Sequence, residues 1–183
     1  MTVSSDAGLI IRNHLLKWYS TIDQEVVPLI IHENEEWHVG DDYVLALRMV
    51  FLPVSLEYAS MEVWITPDGA AGIGIETWPR IGERVRSSAR AGPFGVGFEP
   101  HFLPSDELVD YCQAVANAEF TMWAWVLCGR LIDTAVRLDM SSGLFPWERG
   151  ISSGLPRPLI SWLPGGRRET LRFKPWPRKT LET

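Results

Sequence analysis

The stretch Ser105-Asp106-Glu107-Leu108-Val109-Asp110-Tyr111-Cys112, running on through Met122-Trp123-Ala124-Trp125-Val126-Leu127 to Leu138, decides the fold. Ser105 precedes Asp106 and Glu107, so acids fall in a first helical turn, where the helix dipole favours them. Leu108, Cys112, Val115, Phe120, Trp123, Leu127, Leu131, Ala135 and Leu138 keep helical spacing as far as Ser141-Ser142-Gly143. The segment therefore reads as a long helix. A straight helix of about 35 residues would span about 52 Å, whereas a domain of this length is about 40 Å across. A break is expected at Gly129 or near Asn117. On a helix, Trp123 and Trp125 would stand about 200° apart, so this apolar turn is either central to the domain or part of a homodimer seam.

Upstream, Ser4, Ser5 and Asp6 can cap a first helix with Ile11, Leu15, Trp18 and Ile22 on one face, ended by Pro28 at the latest. Residues 29–31 and 37–39 are short strand candidates around an acidic loop. Tyr43 to Leu52 is apolar on both faces except for Arg48, as in a central strand. Met61–Thr66 and Ala70–Thr77 flank Thr66-Pro67-Asp68-Gly69, whose Pro and Gly positions suit a type I turn between hairpin strands. Val85 and Phe94–Phe98 add one or two strands around a basic loop of Arg84, Arg86 and Arg90. Downstream, Leu159–Leu163 and Arg168–Phe173 flank Pro164-Gly165-Gly166 as a terminal hairpin. The expected fold is a single α+β domain over 1–183. It has one antiparallel sheet of about five to seven strands, an N-terminal helix, a long broken helix and a C-terminal hairpin, with 174–183 a flexible basic tail.

The chain has 183 residues, 46% of them hydrophobic, which excludes a disordered tail, a collagen-like repeat or a disulfide-stapled miniprotein. Met1-Thr2-Val3-Ser4-Ser5-Asp6 has no basic n-region leading into an apolar stretch. Met122–Gly129 is far shorter than the roughly 20 residues that cross a bilayer. These features point to a soluble, cytoplasmic protein with no membrane partner. Cys112 and Cys128 would lie about 24 Å apart along an intact helix, too far for a disulfide; a segment bent back on itself would allow one, but two buried thiols are the expected state.

Residues 1–60 carry nine acids against three bases, residues 61–140 eleven against six, and residues 141–183 three against eight. An acidic body argues against nucleic-acid binding by the whole domain. The basic end either folds onto that body or offers a small anionic docking strip. Arg172-Phe173-Lys174-Pro175-Trp176-Pro177-Arg178-Lys179 interleaves bases with aromatics, as single-strand binders do.

Two patterns carry candidate sites. Gly72-Ile73-Gly74-Ile75-Glu76 echoes Gly95-Val96-Gly97-Phe98-Glu99, so each strand would put two glycines and a carboxylate on one face. A bare glycine face admits an aromatic ring, a helix or a ligand. Thr77 stands where a dinucleotide fingerprint needs its third glycine, and there is no P-loop, so no cofactor is expected. The second pattern is Glu33, Glu35, Glu36, Asp41 and Asp42 with Trp37, five carboxylates and an aromatic within ten residues. His32 and His38 are six apart, which is not an i, i+4 ligand pair, so a metal site is not expected. There is no Gly-x-Ser-x-Gly elbow; the Ser-Ser-Gly echoes at 141–143 and 152–154 read as turns. No catalytic residues are assigned, and no segment carries a motif specific enough to place the chain in a family.

The expected function is a non-catalytic protein-binding module. Its sharper form is an immunity or antitoxin-type inhibitor that covers a toxic enzyme's basic cleft with Glu33, Glu35, Glu36, Asp41 and Asp42 and anchors on Trp37. A dedicated chaperone is the related form. The alternative is an enzyme or small-ligand binder with a pocket over residues 72–76 and 95–99.

Overall fold

Turn chemistry acts locally, and Thr66-Pro67-Asp68-Gly69 obeys it. Gly69 adopts φ +90°, its N–H donates to Thr66 O at 3.0 Å, and Thr66 N–H donates to Ala70 O at 2.9 Å. The Thr66 hydroxyl donates to the Asp68 carboxylate, which holds that carboxyl below its ordinary pKa. This turn joins β3 (Met61–Ile65) to β4 (Ala71–Ile75). The computed structural model describes residues 6–39, 42–75, 107–138, 148–149 and 157–180. Before the hairpin come α1 (Asp6–Tyr19), β1 (Leu29–Val39) and β2 (Asp42–Phe51). After it come α2 (Leu108–Ala116), β5 (Phe120–Leu127), β6 (Arg130–Leu138), β7 (Glu148–Arg149), α3 (Arg157–Trp162) and β8 (Gly166–Leu171).

The class is α+β, but the described strands form two antiparallel sheets rather than one, ordered β1-β2-β3-β4 and β7-β6-β5-β8. The long helix expected over 105–140 is the reason. It breaks at both expected places, yet the chain beyond each break is a strand. Asn117 caps α2, and Ala118 takes φ 57°. Cys128 (φ 49°) and Gly129 (φ 77°) make the two-residue turn between β5 and β6, the positive-φ pair of a type I′ hairpin. Trp123 and Trp125, two apart on β5, therefore share a face instead of opposing one another.

Among the described residues both sheets contribute to one buried cluster. Met49, Phe51, Met61, Val63, Ile65, Ile73 and Ile75 of the first sheet belong to it with Phe120, Met122, Ala124, Val126, Val136 and Leu138 of the second. Ile11, Leu15 and Trp18 of α1, together with Ile22 just beyond it, join them as the periodicity predicts, and so do Leu108, Cys112 and Val115 of α2. The other face of the second sheet holds a smaller cluster. Trp125, Ala135 and the buried Ile160 pack there with Trp123, Leu127 and Ile132.

The expected terminal hairpin is instead α3 followed by β8, which pairs with β5. Gly165 (φ +76°) and Gly166 make that corner, and a Cβ on Gly166 would collide with Ile160 O. Residues 174–180 are not the free tail expected. Trp176 is buried, with its indole against Trp18 and Phe51 and its Nε1–H donating to Ala59 O at 2.9 Å. Phe173 stacks on Phe120 at 5.0 Å. The tail aromatics that resembled a single-strand binder are thus consumed by packing.

Cys112 is buried, and burial pushes its thiol pKa up; Cys128, expected to be buried, is exposed; both are free. The caps at Ser4, Ser5 and Ser105, the strands at Val85 and Phe94–Phe98, and the Ser-Ser-Gly echoes lie outside the described residues. Among the described residues no helix is long and apolar enough to cross a membrane.

This packing has two measurable consequences. Trp176→Ala should destabilise by about 3–5 kcal/mol, read as a lower urea midpoint, while Trp176→Phe recovers most of that loss. In the native protein a thiol reagent should titrate Cys128 rapidly and leave Cys112 unmodified until denaturant is added.

Candidate functional site

The acidic run is not a loop. It lies within β1, which forms the edge of its sheet among the described residues, with β2 its one partner there. The pairing runs from Leu29↔Phe51 to His32↔Arg48, then slips, resuming at Glu35↔Ala46 and ending at Val39↔Asp42. Glu33 and Asn34 fill the slip, with Asn34 at φ 58°. This is a β-bulge, and it changes which residues share a face. Before it, Leu29 and Ile31 lie on the face that carries Phe51 and Met49. After it, Glu36 joins that face opposite Leu45, and Glu35 joins His32 on the other. The contacts agree: His32 Nδ1 is 3.8 Å from Glu35 Oε1, and Glu33 Oε1 is 3.3 Å from Arg12 of α1.

The expected patch is therefore divided along an edge. Glu33 and Glu36 lie toward α1 and Glu35 on the opposite face, all three substantially solvent-accessible. Trp37 pairs with Val44 in the register and Asp42 with Val39, while Asp41 lies outside the described residues. Arg48 of β2 does not serve this site. Its Nε and Nη2 both donate to Glu62 Oε2, at 3.1 and 2.7 Å, and its guanidinium lies 5.0 Å over the Trp64 ring.

The glycine face takes shape in the same register. Gly72 stands opposite Trp64 and Gly74 opposite Glu62, and every residue of β4 is buried. The two glycines thus share a face with Trp64 and Glu62. Glu76, Gly95, Gly97 and Glu99 lie outside the described residues. Among the described residues no three His, Cys, Asp or Glu side chains converge as metal ligands.

One feature escapes sequence reasoning. A groove of about 380 Å³ opens between the first turns of α1 and the β1–β2 ladder, lined by Leu9, Arg12, Glu33, Leu45, Leu47 and Ile65 among others. Leu9 and Leu45 are 51% and 55% exposed there. Helical spacing set Leu9 off the core face, and the two-sided apolar pattern of β2 implied that Leu45 would be covered. No family model matches this chain, and no match is found among curated proteins or solved structures.

Two substitutions separate structure from site. Glu62→Ala, which removes a largely buried carboxylate from the part-buried Arg48 guanidinium, should cost about 2 kcal/mol of stability. Glu35→Gln, on an accessible side chain, should change stability by no more than about 0.5 kcal/mol, read from the denaturation midpoint.

Proposed function

We propose that this protein is a non-catalytic binding module that receives a basic segment of a partner protein along the edge of β1 that the described residues leave unpaired. The supporting observation is the divided placement of Glu33, Glu35 and Glu36 on both faces of one edge strand. A flat docking surface would use acids on a single face. An extended segment adding to the edge presents its own side chains alternately to both faces, so acids on both sides match it. The acids also serve the unbound protein. A long edge strand invites indiscriminate pairing, and like charge along it repels a second copy of itself.

Within this class, charge favours a neutraliser of the immunity or antitoxin type. Enzymes that act on polyanions carry basic clefts, and an acidic edge inserted into one would both block and bind it. Asp41, Asp42 and Trp37 extend the same stretch in sequence and are assigned to this surface as part of the proposal.

The test begins with capture of the partner at low salt and continues with calorimetric titration of that purified partner. The triple variant Glu33→Gln, Glu35→Gln, Glu36→Gln should bind roughly tenfold or more weakly at low ionic strength, with a flatter dependence on salt. Unchanged affinity and unchanged salt dependence would overturn the assignment to β1.

A further inference from the structure

We propose that the groove between α1 and the β1–β2 ladder seats one large apolar side chain of the partner's segment, flanked in that segment by lysine or arginine. This rests on β1 being the docking edge and names what the segment must contain besides charge.

The floor of the groove is hydrocarbon: Leu9 from α1, Leu45 and Leu47 from β2, and Ile65 from β3. Its volume of about 380 Å³ falls at the lower end of the range for pockets that enclose a ligand, and more than holds a leucine, phenylalanine or tryptophan side chain. The groove does not close by a small settling of α1. A Cβ on Gly8 would already stand 2.7 Å from Thr66 O, so the helix is pressed against the hairpin at this end. Leu9 and Leu45 thus remain half-exposed beside a fixed wall.

Charge identifies the occupant. Arg12 and Glu33 pair across the rim at 3.3 Å, and Glu36 lies beyond them on the same face opposite Leu45. Two carboxylates against one guanidinium disfavour a fatty acid, an anionic lipid or an acidic peptide. They favour a segment that brings cations to the rim and hydrocarbon to the floor. The bulge in β1 makes the groove continuous with the docking edge, because it brings Glu36 onto the face that already carries Glu33, within the strand that would be paired.

Two synthetic pentapeptides test this, each with two lysines on either side of a central residue, leucine in one and alanine in the other. They are titrated into ¹⁵N-labelled full-length protein. The leucine peptide should shift the amides of Gly8, Leu9, Leu45 and Leu47 and bind about tenfold more tightly than the alanine peptide. Leu45→Ser, at a half-exposed position and checked for an unchanged urea midpoint, should erase that difference while both peptides still perturb β1. Equal affinities in the wild type, or a difference that survives Leu45→Ser, would overturn the groove and leave the acidic edge standing. If neither peptide shifts any β1 amide, the edge-strand reading fails as well.

Discussion

The burial of one indole near the end of the chain holds the two halves of the molecule in place. Trp176 fills the space beside Trp18 and Phe51, joining α1, β2 and the C-terminal segment in one aromatic cluster. The backbone around it is tied at several separate points. Trp176 N–H donates to Ala116 O at the end of α2, Lys174 N–H to Glu57 O before β3, and Lys179 N–H to Thr21 O after α1. Asp23 N–H returns a bond to Pro177 O. A strip with no regular structure of its own therefore satisfies backbone groups from two connections and one helix end at once. The prolines at 175 and 177 suit it, since both hold an extended chain and neither needs a donor partner.

That closure explains how the chain carries two sheets around one core. Each sheet turns an apolar face inward, and α1 and α2 fill the space that the strands leave. The second sheet also needs cover on its outer face, where Trp123 and Trp125 project, and α3 supplies it through Ile160. The first sheet leaves β1 uncovered among the described residues, and that edge carries the acids. Charge at this position is consistent with both the stability of the free protein and selective pairing.

How much of this is legible in the sequence depends on how local the determining chemistry is. The Thr66–Gly69 turn is legible because Pro and Gly act on their own φ angles. The buried face of α1 is legible because four apolar positions repeat at helical spacing. The strands at 120–138 are not. Residues that are apolar at nearly every position satisfy a helical template and a buried-strand template equally, and periodicity cannot choose between them. The length of a straight helix against the width of the domain calls for a break, and Gly129 and the neighbourhood of Asn117 are the places expected for it, but nothing there fixes the conformation beyond. Trp176 is hidden differently, since a Pro-rich strip of bases gives no pattern for an indole that packs alone.

The candidate site is legible in composition and not in geometry, and a single inserted residue accounts for the difference. With a regular period of two, Glu33 and Glu35 would share the α1 face and Glu36 would turn away from it. The bulge at Glu33–Asn34 reverses that assignment beyond it, sending Glu35 to His32 and bringing Glu36 beside Leu45. Asn tolerates the left-handed conformation that the slip demands, φ 58° here, better than any residue but glycine. Asn34 is the uncharged residue between two acids, but the charge pattern does not mark its backbone conformation. Yet its backbone decides which carboxylates border the apolar groove and which lie on the opposite face. A register slip, rather than the number of acids, thereby turns a solvated strand into an edge with two chemically distinct sides.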